Sequence, residues 1–242
     1  MIPDPSSRVG RRLLDDVALE ASSVVANNAM NRERGLSGAN SYAKELGFDP
    51  YVLLISRVGA DADRPDGAAW LDLCCGSGRA LIHAAGRFAA EHPDADIAIV
   101  GVDLVDYFAM ATRAAGLEFI AASVARWEPH RRFDLVTCVH GLHYVGDKLG
   151  LLARAASWLT SDGLLVADFD ANSIRSADGR AATREVAAAL KSSGVDYDPR
   201  RRRVTCRGRR TLHVPATYLG ADDVAGPGYT GQPAVDSYYA WP

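Results

Sequence analysis

Lysine is nearly missing from this chain. Lys44, Lys148 and Lys191 are the only three, so 27 basic residues minus 3 leaves 24 Arg. Cysteine is also scarce. Cys74 and Cys75 are adjacent inside an apolar run, and Cys138 and Cys206 stand apart. That layout excludes a disulfide framework and a Cys-based zinc site, and it points to a reducing, cytoplasmic setting. No stretch approaches eighteen consecutive apolar residues, so no membrane span is expected. The first twenty residues hold no apolar core of signal-peptide length. No charge of one sign dominates: 27 basic against 30 acidic gives −3. This excludes a protein that coats nucleic acid by bulk charge. There is no internal repeat.

What is present is an ordinary globular composition, 48% hydrophobic over 242 residues. That suits one domain with embellishments. The spacing predicts helices over Arg12 to Val25, Ser41 to Leu46 and Pro50 to Val58. The segment DADRPDGA, residues 61–68, is a turn-rich boundary. After it, short apolar runs at Ala69 to Cys75, Ile97 to Val102, Leu117 to Ala121, Phe133 to Val139 and Gly163 to Phe169 read as strands. Helical patterns at Arg79 to Glu91, Tyr107 to Ala115, Leu149 to Leu159 and Arg180 to Ser192 separate or follow them. Strands alternating with helices predict an α/β fold: a Rossmann-like, doubly wound, mostly parallel sheet in a three-layer sandwich. A hairpin from Arg201 to Arg207 and Thr211 to Tyr218 would add antiparallel strands at its C-terminal edge. The expected division is an N-terminal helical cap (1–64), a core (65–225) and a C-terminal tail packing on the core (226–242).

In such a sheet a ligand binds beyond the carboxyl ends of the strands. The first strand ends in Asp72-Leu-Cys-Cys-Gly76-Ser-Gly78, and the second ends at Asp103. Glycines there allow a sharp turn and close backbone approach. A carboxylate at Asp103 can accept from both hydroxyls of a ribose. The dinucleotide pattern G-x-G-x-x-G fails at its third position, Leu81, and no G-x-x-x-x-G-K-[ST] phosphate loop exists. Asp72 would repel a pyrophosphate and attract a cation. The placement therefore favours a cationic, adenosine-containing cofactor over a nicotinamide dinucleotide or ATP.

These segments resemble the class I S-adenosylmethionine-dependent methyltransferases. WLDLCCGSG is similar to their first motif, with Asp72, Gly76 and Gly78 matching and Cys74 standing where a glycine is usual. VGVDL carries the ribose-binding acid Asp103, followed by Leu104. In FIAASVARW, Ser123 stands in the place of an adenine-binding Asp, with Val124 beside it as a backbone contact. RFDLVTCVHGLHYV is similar to the fourth motif, and SDGLLVADFD to the approach to the fifth strand. The resemblance covers about residues 65 to 220. It implies S-adenosylmethionine as cofactor, S-adenosylhomocysteine as product, and His140 lining the methionine pocket.

Methyl transfer is chiefly positioning, with a base where the acceptor is a hydroxyl. His143 is the candidate base or substrate-orienting residue, with Tyr144 beside it. Arg32 and Tyr42 are candidate lid contacts, and Asp168 a candidate acceptor contact. Tyr229, Tyr238, Tyr239 and Trp241 suit either an acceptor wall or a tail anchor, and a homodimer contact is equally open. No metal is expected, because no clustered carboxylate joins His140 and His143. Seven Arg between positions 200 and 210 could hold phosphates. Nearby acids and the absence of a D/N-P-P-Y/F motif favour a solvated hairpin instead. The expectation is a methyltransferase acting on O or N of a small molecule, in bacterial specialised metabolism such as antibiotic biosynthesis, with neither nucleic acid nor membrane as partner. The rivals are an RNA or other macromolecule methyltransferase, a nicotinamide-dependent oxidoreductase, and a non-catalytic binding protein.

Overall fold

The computed structural model describes residues 12–26, 34–58, 67–109 and 114–242. Arg32 lies outside these residues. Seven strands form the main sheet in the order β3-β2-β1-β4-β5-β8-β7. They are β1 (Ala68–Leu73), β2 (Ile97–Asp103), β3 (Leu117–Ala121), β4 (Phe133–Cys138), β5 (Leu159–Asp168), β7 (Asp196–Asp198) and β8 (Arg203–Arg207). The first five are mutually parallel, and β8 runs antiparallel to both β5 and β7. The Rossmann-like expectation holds.

The central strands are apolar because helices cover both their faces. Every residue of β1 and of β4 is buried. Helix α4 (Arg79–Glu91) follows β1 and buries Ala80, Leu81, Ala84, Ala85 and Phe88. Helix α5 (Lys148–Ser157) follows β4, capped by the Asp147 carboxylate, which accepts from the Gly150 amide at 2.9 Å. Helix α6 (Thr183–Ser192) leads toward β7. The strand order reverses direction between β1 and β4, which opens a crevice at their carboxyl ends.

The two ends of the described chain differ from expectation. The long first helix is reduced to α1 (Asp16–Glu20). Leu14 is unavailable to it, because its backbone exchanges hydrogen bonds with Ala221 at 2.8 and 2.9 Å. The Asp15 carboxylate then caps the shortened helix at Ala18. The second and third helices appear as α2 (Tyr42–Leu46) and α3 (Pro50–Ile55). No helix forms at Tyr107–Ala109. The Ala109 amide donates to the Ser77 carbonyl at 2.9 Å, and Phe108 stacks on Phe119 at 4.7 Å.

The expected hairpin also fails. β8 pairs within the main sheet, whereas β9 (Thr217–Asp222) joins a second, three-stranded sheet in the order β6-β10-β9. There β10 (Asp236–Ala240) runs parallel to β6 (Ile174–Ser176) and antiparallel to β9. The tail is thus the central strand of a sheet. Tyr238 and Tyr239 are buried in it, and the Tyr239 hydroxyl donates to the Asp147 carboxylate at 2.8 Å.

Candidate active site

The turn after β1 is held in an unusual backbone shape. Cys74, Gly76 and Gly78 have φ of 57°, 59° and 70°. This is the left-handed region, which costs about 1–2 kcal/mol for a residue with a Cβ. Cys74 therefore occupies a glycine-type position at the cost of strain. At Gly78 a Cβ would lie 2.2 Å from the Phe119 ring. A turn this tight brings its backbone to the mouth of the crevice.

That mouth is a cavity of about 170 Å³. Asp72, Cys74, Gly76, Gly78, Asp103, Leu104, Ser123, Val124, His140 and Tyr144 all line it, as does Tyr42 from α2. The N-terminal segment supplies Leu19, Glu20 and Arg34, and the C-terminal region supplies Thr230 and Gln232. Thus ten of the sequence candidates, and the lid candidate Tyr42, share one space. His143 and Asp168 do not line it.

Asp72 is 1% exposed. Its Oδ1 accepts from the Thr137 hydroxyl at 2.6 Å, and its Oδ2 from the Tyr42 hydroxyl at 2.6 Å. Trp70 Nε1 donates to the Thr137 oxygen at 2.8 Å, so the chain of donors is fixed from behind. Burial pushes the Asp72 carboxyl up to about 7, and the two hydrogen bonds oppose that rise. Asp103 accepts from the Gly76 amide at 2.8 Å and the Val105 amide at 3.3 Å. Burial raises its pKa too, against these backbone donors. Each carboxylate oxygen keeps a lone pair for a further donor.

At the β3 side, the Ser123 hydroxyl donates to Glu20 of α1, and Glu20 also pairs with Arg126 at 2.8 Å. The Val124 carbonyl accepts from Arg154 at 2.6 Å. At the β4 side, His140 has φ of 60° and stands between the cavity and a polar cluster. Its Nε2 lies 3.6 Å from Glu45 Oε2 and 3.6 Å from Asp168 Oδ2. Burial lowers the His140 pKa, and Asp168 partly restores it. The expectation that no carboxylates gather at the histidines is therefore overturned: the two acids come from α2 and from the end of β5. Glu45 escaped the sequence reading, although it lies one helical turn after Tyr42, on the same face.

His143 sits behind this cluster. It is 5% exposed, on the 3-10 turn Leu142–Tyr144, and Tyr229 meets its ring edge-on at 5.0 Å. Burial, with smaller contributions from His140, Lys148 and Arg202, takes its pKa down to about 3. Arg203, expected on a solvated hairpin, is instead largely enclosed. It donates to the carbonyls of Glu45 and Leu46 and lies 3.3 Å from Asp168 Oδ1.

The sequence matches the methyltransferase-domain family over residues 45–204, two thirds of the chain. The chain belongs to that family. S-adenosylmethionine is the cofactor that goes with it. Trans-aconitate 2-methyltransferase from Methylobacterium radiotolerans is 31% identical over 125 residues, covering 51% of this chain and 44% of that protein. Among solved structures, coclaurine N-methyltransferase bound to N-methylheliamine and S-adenosylhomocysteine shares 20% identity. It covers 58% of this chain and 41% of its own, with a TM-score of 0.39. The sugar N-methyltransferase KedS8 from Streptoalloteichus shares 24% identity over 53% of this chain and 49% of its own, with a TM-score of 0.36. The family member spans less than half the length of each of these relatives.

The residues present fit the cofactor. Gly76 and Gly78 present backbone without a side chain to the cavity, and a Cβ at Gly141 would meet that of Cys74 at 2.3 Å, so the two walls approach closely. Two carboxylates with free lone pairs suit ribose hydroxyls and a cationic methionyl end. Among the described residues no helix is long and apolar enough to cross a membrane.

Proposed function

We propose that the chain is an S-adenosylmethionine-dependent methyltransferase that methylates an O or N atom of a small molecule. The observation that carries this reading is the pair Asp72 and Asp103. They end adjacent parallel strands, face one cavity, and flank the left-handed turn at Cys74–Gly78. When bound, the cofactor supplies an electrophilic methyl on a sulfonium. Asp103 receives the ribose hydroxyls, held in place by the Gly76 and Val105 amides. Asp72 supplies negative charge at the end that receives the cation, which favours its ionised form. Ser123 and Val124 flank the adenine, with Leu104 beside the ribose. His140 borders the methionine end of the cofactor, Tyr144 and Arg34 face the acceptor, and the N-terminal segment excludes water from it.

The division into cap, core and tail fits this reading, with the tail woven into the second sheet through β10. A cytoplasmic setting is supported by four cysteines that are all unpaired. Bacterial specialised metabolism is the expected context.

Calorimetry with S-adenosylhomocysteine tests the cofactor. Asp103→Ala should weaken binding at least tenfold, since hydrogen bonds to a charged group are each worth about 1.5–3 kcal/mol. NADH should not bind. Undiminished affinity in the variant, or tight NADH binding, overturns the reading. Transfer of labelled methyl to a panel of hydroxy, amino and carboxylate acceptors, trans-aconitate among them, then identifies the substrate class.

A further inference from the structure

Glu45, His140 and Asp168 come from α2, from the residue pair after β4 and from the end of β5. One donor atom of each lies within 4.8 Å of the others. The two contacts to His140 Nε2, both 3.6 Å, are too long for hydrogen bonds. Asp168 is 4% exposed, and its Oδ2 has no hydrogen-bond partner. A buried carboxylate oxygen without a partner is costly. The remaining oxygens of both acids face arginines. Asp168 Oδ1 faces Arg203 at 3.3 Å, and Glu45 Oε1 faces Arg34 at 3.9 Å. Each acid thus turns one oxygen outward to an arginine and one inward to the histidine.

We propose that Glu45 Oε2, His140 Nε2 and Asp168 Oδ2 bind one divalent transition-metal ion. One imidazole nitrogen with two carboxylate oxygens suits zinc, manganese or iron(II) better than magnesium or calcium. Two metal–ligand bonds of about 2.1 Å place their donors about 3.4 Å apart at a tetrahedral angle. The two 3.6 Å contacts to His140 are within a few tenths of an ångström of that spacing, and the two carboxylate oxygens lie within 4.8 Å of each other. Arg203 also donates to the Leu46 and Glu45 carbonyls, so it anchors the C-terminal end of α2 and aims Glu45 inward. Such outer partners orient ligands in metal sites generally. The two carboxylates are balanced by two guanidinium groups, so affinity comes from direct bonds and not from a net negative field.

His140 also lines the cofactor cavity. On the methyltransferase reading, the ion's open positions would take an oxygen of the acceptor. Coordination there would lower the pKa of such a hydroxyl toward neutral, so that its proton could pass to solvent water without a side-chain base.

The test is a titration of the untagged full chain, stripped with a chelator, with Co²⁺ alone. The expected result is one saturable site per chain with visible d–d absorption, displaced by Zn²⁺. His140→Ala, Asp168→Asn and Glu45→Gln should each weaken it, the first two by at least about 100-fold. The exposed His213→Ala should leave it unchanged. Circular dichroism identifies any variant that fails to fold. Glu45 is the most exposed of the three, so its variant is the safeguard. No saturable Co²⁺ binding, or binding that survives in the folded variants, overturns the proposal. S-adenosylhomocysteine affinity, measured in parallel, separates its failure from that of the cofactor reading.

Discussion

The Tyr42 hydroxyl, on α2, donates to Asp72 Oδ2 at 2.6 Å, and both residues are buried. This bond fastens the N-terminal segment to the end of the first strand, so the wall over the cavity is tied to its floor. Tyr42 also meets Trp70 edge-on at 6.0 Å, which fixes its ring. Tyr42→Phe keeps the ring and removes the donor. Asp72 Oδ2 is then left without its partner, at a cost of about 1–3 kcal/mol. The Asp72 carboxyl should titrate still higher, because the lost bond is one that lowers its pKa. Urea unfolding measures the stability, and an unchanged midpoint contradicts this account.

Lys148 is 1% exposed and donates to the Val235 carbonyl at 2.6 Å and the Ser237 hydroxyl at 2.9 Å. Burial takes its pKa down to about 7, with Asp236 and Asp170 opposing. The unfolded chain keeps the ordinary value of 10.5. Between these values the unfolded state binds more protons than the folded one. Its contribution to stability is therefore full above pH 10.5 and is lost as pH falls toward 7. Relative to Lys148→Met, the wild-type unfolding free energy should rise across that window, by at most about 1.4 kcal/mol per pH unit. Urea unfolding at several pH values measures the difference, and a constant difference across the window sinks the assignment.

Cys74 and Gly141 face each other across the crevice. A Cβ on Gly141 would lie 2.3 Å from Cys74 Cβ and 2.9 Å from Cys74 Sγ. Gly141→Ala should cost about 1–3 kcal/mol through overpacking. Cys74→Gly removes two of the three obstructing atoms, leaving Cys138 Sγ at 2.9 Å, and relieves a left-handed φ of 57°. The double variant should be more stable than Gly141→Ala alone, so that the two changes couple. Thermal unfolding of the full mutant cycle measures this coupling. Strict additivity would show that the two walls do not touch.

The strands were legible because their apolar runs stop at glycine or at a polar residue, and β1 to β4 fall within one or two residues of the runs that predict them. Asp72 and Asp103 were legible for the same reason: strand ends in a parallel sheet point to one crevice. The second sheet was not. β9 and β10 pair across a stretch containing Pro227 and Pro233, and nothing local says that β9 leaves β8 for β10. Arg203 was misread because a run of seven arginines looks solvated. Only the register of β8 against β5, which pairs Arg203 with Asp168, turns it inward. Glu45 depends on a contact across 95 residues to His140, which no periodicity encodes.

His143 was the sequence's candidate base, and its surroundings argue against that role. Its carbonyl accepts from the Val235 amide at 2.9 Å, its ring lies against Tyr229, and its Nε2 has no partner. A group held near pKa 3 by burial is a weak base at neutral pH, and it does not line the cavity. His143→Leu should therefore lower turnover less than tenfold, where loss of a general base costs about 100-fold or more. Stability should hold or rise, because a buried nitrogen without a partner is replaced by an apolar group of similar size. S-adenosylhomocysteine affinity should not change. A 100-fold fall in kcat at constant KM, with the fold intact by circular dichroism, would return the base role to His143.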